Sequence, residues 1–179
     1  GIVHRLDKNT TGCIVVAKTD LAHWKLARQF ERREPIKAYL AIVHGQIDGP
    51  GGVIDVPIGK HPTIREAHAV RHDHMGKPSV TLYRVRERYR GYCLVEAELK
   101  TGRTHQIRVH FDHVGHAIFG DPVYGGRDKR LKGITPMFRT EALRLLKLTD
   151  RQMLHAASLG FEHPDSHETM VLEADLPAD

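Results

Sequence analysis

The chain has 179 residues, 40% apolar and 27% charged, which fits one folded domain and excludes collagen-like, disulfide-dense or wholly disordered chains. No apolar run approaches the roughly 20 residues of a bilayer-spanning helix, so a membrane protein is not expected. Lys plus Arg number 27 against 22 for Asp plus Glu, a formal net charge of +5 that favours an acidic partner, nucleic acid being the commonest.

In chain order, residues 13–17 (Cys-Ile-Val-Val-Ala) read as a buried strand after Thr11-Gly12. Asp20 is placed to cap a helix over 21–33. Leu21, Trp24, Ala27 and Phe30 give that helix an apolar face, Lys25, Arg28, Arg32 and Arg33 leave its other sides basic, and Pro35 ends it. Residues 36–44 read as a second strand closed by Gly45. A turn at 49–52 precedes short strands near 53–57 and 67–72. Residues 79–86 and 91–99 read as a hairpin turning around 86–91. In its second arm Cys93, Val95, Ala97 and Leu99 alternate with polar Glu96 and Glu98. After the Thr101-Gly102 turn, Thr104 is placed to cap a helix of 105–114, with Ile107, Phe111 and Val114 inward. Residues 115–137 read as loop, 140–148 as a short helix, and 153–161 and 168–174 as closing strands. Hairpins with a few helices point to an α+β fold.

Two clusters carry candidate chemistry. His4-Arg5-Leu6-Asp7-Lys8 surrounds a carboxylate with cationic or ionisable groups, which suits a nucleophile or base. On composition alone the same run reads more simply as a solvated loop with a surface ion pair. Lys100 to His110 opens a helix with many donors, among them Arg103, His105, Gln106 and Arg108, a setting that suits phosphate. The simpler partner for Arg108 is Asp112, four residues on. Tyr39, mid-strand among apolar neighbours, reads on its own as a core residue with a satisfied hydroxyl. His105, His110, His113 and His116, with Asp112 and Asp121 nearby, invite a metal reading. Yet there is no HExxH, and the His-x4-His spacing does not stack two rings on one helical face. No Walker A loop, no GxGxxG after a strand and no GxSxG elbow is present. Two cysteines without a CxxC pattern fit a reducing cytoplasm.

The run Gly-Ile-Val-His-Arg-Leu-Asp-Lys-Asn-Thr-Thr-Gly over 1–12 resembles the signature of the RluA-type pseudouridine synthases. In matching order follow Ala22-His23 with Gln29-Phe30, Lys37-Ala-Tyr-Leu-Ala-Ile-Val-His-Gly45, Thr101-Gly-Arg-Thr-His-Gln-Ile-Arg-Val-His110, Gly120-Asp-Pro-Val-Tyr-Gly125, and Leu154-His-Ala156 with His163-Pro164. The resemblance implies a mixed, mainly antiparallel sheet flanked by helices and loops, with an RNA cleft. It implies an isomerase that detaches the uracil of a uridine in RNA, turns it and rejoins it through a ring carbon, with no cofactor and no metal. By motif match, Asp7 is the catalytic carboxylate, Arg108 its partner, and Tyr39 the active-site tyrosine that packs on uracil. Leu154 lines the uracil pocket. Arg5 enters the base stack when the target flips out. Arg103, His105 and Gln106 support the cleft or touch RNA.

Family members have a strand and a loop ahead of the first motif, and many carry an S4-type RNA-binding domain upstream. Residues 1–179 are therefore expected to be a single catalytic domain without that strand. The segment 127–150 is longer and more basic than the family's usual loop and is expected to be a solvated excursion rather than an RNA contact. Ribosomal RNA is the favoured substrate and transfer RNA the other, with a monomer as the default state. A non-catalytic RNA-binding module and a metal-dependent hydrolase built on the histidines are the competing readings.

Overall fold

The computed structural model describes residues 1–127, 131 and 136–178. The main sheet runs in the order β1 (Thr11–Gly12), β8 (Leu154–Glu162), β2 (Ile36–His44), β7 (Tyr92–Leu99), β6 (Val80–Tyr89), β3 (Gly51–Asp55), with β9 (Thr169–Glu173) also on β8. Among the described residues, every pairing in this sheet is antiparallel except that of β1 with β8. A separate antiparallel pair, β4 (Ile58–Lys60) and β5 (His68–Val70), stands beside it. Among the described residues, helices α1 (Asp20–Arg32), α2 (Gln106–His113) and α3 (Pro136–Leu146) complete the α+β fold.

Period-two alternation sorts the side chains onto two faces. Tyr39, Ala41 and Val43 of β2, with Cys93, Val95 and Ala97 of β7, pack with Ile107 and Phe111 of α2 and with Leu154. Their neighbours Ile42 and Tyr92 point the other way, into a cluster with Phe119 and with Ala142 and Leu146 of α3. Helix α1 packs Leu26 and Phe30 against Leu159 and Phe161 of β8.

Several expectations need correction. Residues 13–17 are not a buried strand. Only Thr11–Gly12 pairs as β1, and Ile14 and Val16 are about half exposed, because this segment runs along an edge of β8. Thr19, not Asp20, caps α1: its hydroxyl accepts the Ala22 N–H at 3.2 Å, leaving Asp20 in the first turn, where a carboxylate favours the dipole. Leu21 and Trp24 are exposed, and the inward stripe is Ala22, Leu26, Gln29 and Phe30. A strict three-residue spacing slips by about 60° per step on a 3.6-residue helix, so it cannot hold one face. A left-handed Arg33 (φ 61°) ends the helix ahead of Pro35.

Thr104 does not cap α2. His105 occupies that position in a left-handed conformation (φ 57°) with no side-chain cap. Val114 lies past the helix end and is 40% exposed. The hairpin strands run on to Tyr89 and Tyr92, so only Arg90-Gly91 turns, with Gly91 at φ 87°. The short helix predicted at 140–148 begins earlier, at Pro136. The excursion expected over 127–150 falls in part on 128–130 and 132–135, outside the described residues.

Candidate active site

The first motif forms a tight loop. The Thr10 N–H donates to the Asp7 carbonyl at 3.0 Å, and Asn9 takes a left-handed φ of 67°, which asparagine tolerates. The Gln152 amide holds the loop from behind, donating to the Lys8 carbonyl at 2.8 Å and to Thr10 Oγ1 at 3.0 Å. Thr11 Oγ1 meets His155 Nδ1 at 2.8 Å, and β1 pairs with His155 and Ala156. The pairing that fixes the Asp7 loop therefore also fixes Leu154, one residue before it. Gly12 is required here: at φ 116°, a Cβ would lie 2.2 Å from the Ala156 carbonyl oxygen.

Asp7 faces Arg108, with 3.5 Å between Oδ2 and Nη1. Arg108 is buried on α2, and Asp121 holds the rest of its fork: Nε to Oδ2 at 2.7 Å and Nη2 to Oδ1 at 3.0 Å. Asp121 is fully buried, and its Oδ1 also accepts the N–H groups of Val123 and Tyr124. The Tyr124 ring lies 4.9 Å from the guanidinium carbon. Burial works against the Arg108 charge. The hydrogen bonds and charges of Asp121, with a contribution from Asp7, outweigh it and hold the pKa above the usual arginine value. In place of the local alternative, Asp112, Arg108 engages carboxylates 13 residues downstream and about 100 residues upstream.

A cavity of about 290 Å³ opens over this centre. Asp7, Tyr39 and Leu154 line it together with Arg5, Arg103, His105 and Gln106. Tyr39 sits where the β2–β8 register slips between Ala38 and Leu40, an irregularity of the kind that re-aims side chains beside active sites. Burial, aided by the charge of Asp7, pushes its pKa up to about 12, so the phenol stays protonated at neutral pH. The volume and mixed lining suit one flat heteroaromatic base with its sugar.

A family model described as RNA pseudouridylate synthase matches residues 1–113. The chain belongs to this family. It is 47% identical over all 179 residues to the ribosomal large subunit pseudouridine synthase D of Escherichia coli strain K12, covering 53% of that protein. The proteins of the same name from Pseudomonas aeruginosa and Haemophilus ducreyi are 48% and 46% identical over the same span, with 54% and 53% covered. The chain spans about half the length of these curated relatives. Among solved structures, the human RNA pseudouridylate synthase domain containing 1 superposes with a TM-score of 0.77 at 29% identity, covering 98% of this chain and 69% of that one. Domain containing 4 gives 0.73 at 25% identity, covering 99% and 71%.

The remaining residues of the candidate site divide by role. Arg5 is exposed at the cavity, and Arg103 is half-buried with its Nε on the Pro78 carbonyl at 3.3 Å. Gln106 turns inward. Its Oε1 accepts from the Thr101 hydroxyl and the Arg103 N–H, and its amide donates to the Val80 carbonyl and Thr81 Oγ1. It braces the 101–106 turn rather than offering groups to the cavity. His105 Nδ1 meets the Tyr124 hydroxyl at 2.8 Å, and that hydroxyl accepts the His68 N–H. Burial lowers the His105 pKa, with Asp7 opposing.

The other histidines have separate duties: His110 bonds Thr81 and the Val56 carbonyl, and His116 bonds the His44 carbonyl. Among the described residues, no group of three or more His, Cys, Asp or Glu is arranged to hold a metal ion. Sequence reasoning placed Asp121 only beside the histidines of the metal reading and gave no role to Tyr124, Gln152 or His155. Asp121 and Tyr124 lie in the Gly120–Gly125 motif, and His155 in the Leu154–Ala156 motif. Gln152 carries no local signal.

Proposed function

We propose that this chain isomerises uridine to pseudouridine in RNA, with large-subunit ribosomal RNA as the substrate. The observation that carries the reading is a carboxylate, Asp7, held by a buried, doubly engaged arginine at the wall of a base-sized cavity that also holds Tyr39 and Leu154. The reaction breaks the N1–C1′ bond and forms C5–C1′, N1 gains a proton, and the C5 proton leaves to water. As N1–C1′ breaks, positive charge develops at C1′. Asp7 is the anionic group that stabilises or captures that carbon. Arg108 keeps the carboxylate ionised and aimed. Tyr39 packs on the uracil ring, with a protonated hydroxyl available to donate as the ring turns.

The target must leave its stack to enter the cavity, and Arg5, exposed at the mouth, takes its place. The net charge of +5 supports phosphate contacts and predicts salt-sensitive binding. Ribosomal RNA is favoured over transfer RNA by the names of the relatives, and such a substrate places the protein in the cytoplasm. No helix among the described residues is long and apolar enough to cross a membrane.

The test uses RNA labelled with tritium at C5 of uracil. Release of tritium to water from large-subunit ribosomal RNA, and not from transfer RNA, is the expected result. Release from transfer RNA alone overturns the substrate assignment. RNA binding without release from either would favour the non-catalytic module.

A further inference from the structure

One wall of the cavity carries charge that the chemistry above does not use. Among the charged side chains lining it, Arg5, Arg33, Lys37 and Arg103 are basic and only Asp7 is acidic, and Asp7 is engaged by Arg108. Arg33 and Lys37 are close enough for their charges to interact. Among the described residues neither has a carboxylate partner. The nearest acid in sequence, Glu34, pairs instead with Arg32 at 3.7 Å. Lys37 is half-buried, with Nζ 5.7 Å from the centre of the Phe30 ring and 3.5 Å from where a Cβ on Gly102 would lie. Burial lowers its pKa, and the neighbouring Arg33 lowers it further. Two cations held close together without a counter-ion repel each other, and a bound anion would reverse that repulsion.

His4 adds a donor of fixed identity. Its ring stacks on Phe30 with centroids 4.5 Å apart. The Val15 backbone N–H donates to His4 Nε2 at 3.0 Å. A backbone N–H can only donate, so Nε2 is the unprotonated nitrogen and the ring carries its proton on Nδ1. Burial, with Lys37 second, lowers the His4 pKa, which keeps the ring in that neutral form. His4 also lines the cavity. The neutral His4 ring and the Lys37 ammonium thus share the Phe30 ring, with the Arg33 charge next to Lys37.

We infer that His4, Arg33 and Lys37 form a phosphate subsite that takes a backbone phosphodiester next to the uridine placed over Asp7. Gly102 leaves the space that the Lys37 ammonium occupies. The subsite fixes the strand beside the Gly102–Arg103 turn, so that the ribose is presented to Asp7 in one register. Phosphate contacts of this kind set position rather than sequence.

This inference rests on the RNA reading, so its test has a readout that does not need turnover. Affinity for a single-stranded uridine-containing RNA is measured against salt for the parent, Lys37→Gln and Arg33→Gln. Each lost contact on a single strand flattens the slope of log K against log salt by about 0.7. Lys147→Gln, exposed beyond α3 and absent from the cavity lining, is the control. In parallel, inorganic phosphate is titrated into the ¹⁵N-labelled parent, following the His4 ring nitrogens and the Lys37 ammonium. The inference expects flattened slopes for both cavity variants and an unchanged slope for Lys147→Gln. It also expects phosphate-dependent shifts at His4 that vanish in Lys37→Gln. Equal flattening in all three variants overturns it in favour of diffuse surface charge. Shifts with inorganic phosphate but unchanged RNA slopes overturn it in favour of a free-phosphate site. Failure of tritium release by the parent would sink the isomerase reading and leave these two readouts intact.

Discussion

Asp121→Asn tests whether a buried ion pair, rather than Asp7 alone, fixes the guanidinium at the site. Asparagine keeps the shape and one oxygen for the Val123 and Tyr124 N–H groups. It removes the charge and turns an NH₂ donor toward the guanidinium. The pair is well shielded: the Arg108 side chain is 5% exposed and that of Asp121 0%. Removing one partner of a buried pair costs about 3–5 kcal/mol, because the remaining charge stays buried without its counter-ion. Asp7, at 3.5 Å, still offers partial compensation, so the low end applies, about 3 kcal/mol. For a chain of this size that lowers Tm by about 6–12 °C. Urea unfolding with an unchanged m-value would read the loss directly. Tritium release should also fall, since Arg108 loses the fork that aims it. A loss below about 1 kcal/mol with full activity would refute the reasoning, and Asp7 would then be the guanidinium's main anchor.

Three further outcomes follow from the geometry. Gly12→Ala should destabilise the fold by about 1–3 kcal/mol and abolish activity, because a Cβ at φ 116° meets the Ala156 carbonyl where β1 joins β8; parental thermal stability would contradict this. Gln152→Ala removes both bonds behind the Asp7 loop and should lower tritium release while leaving RNA affinity nearly unchanged, whereas loss of affinity alone would count against a bracing role. Stability should fall at both pH extremes, followed by urea midpoints. Burial depresses the pKa of His4, His68, His105 and His110 below 6.5, so the unfolded chain binds protons first and stability is lost as pH drops below about 6.5. Tyr39 and Tyr124 are raised to about 12, so the unfolded chain ionises first and stability is lost from about pH 10 upward. A flat profile from pH 5 to 7 would contradict the histidine part.

The strands of the central sheet were legible because their alternation is set locally: Cys93, Val95 and Ala97 fall on one face in any register that buries them. The edge was less legible. The run Cys13 to Ala17 is as apolar as a buried strand, but what covers a strand is decided by distant chain, and here Ile14 and Val16 stay exposed. The caps failed for a related reason. Thr19 and Asp20 are both good capping residues, and Thr104 is a good one displaced by the left-handed His105, whose turn is braced by Gln106. Asp7, Tyr39 and Arg108 were found through motif resemblance, not through spacing, since they lie about 30 and 100 residues apart. Asp121 fully engages Arg108 from 13 residues away with no helical periodicity to announce it. Such pairs belong to tertiary packing and leave no local signal.

The central claim is that the Asp7 carboxylate carries out the isomerisation. Its most direct test measures tritium release and RNA affinity together for the parent and Asp7→Asn. The substitution keeps the size of the side chain and removes its charge. The account predicts RNA affinity within a few-fold of the parent and no tritium release. Release at the parental rate from Asp7→Asn would contradict it.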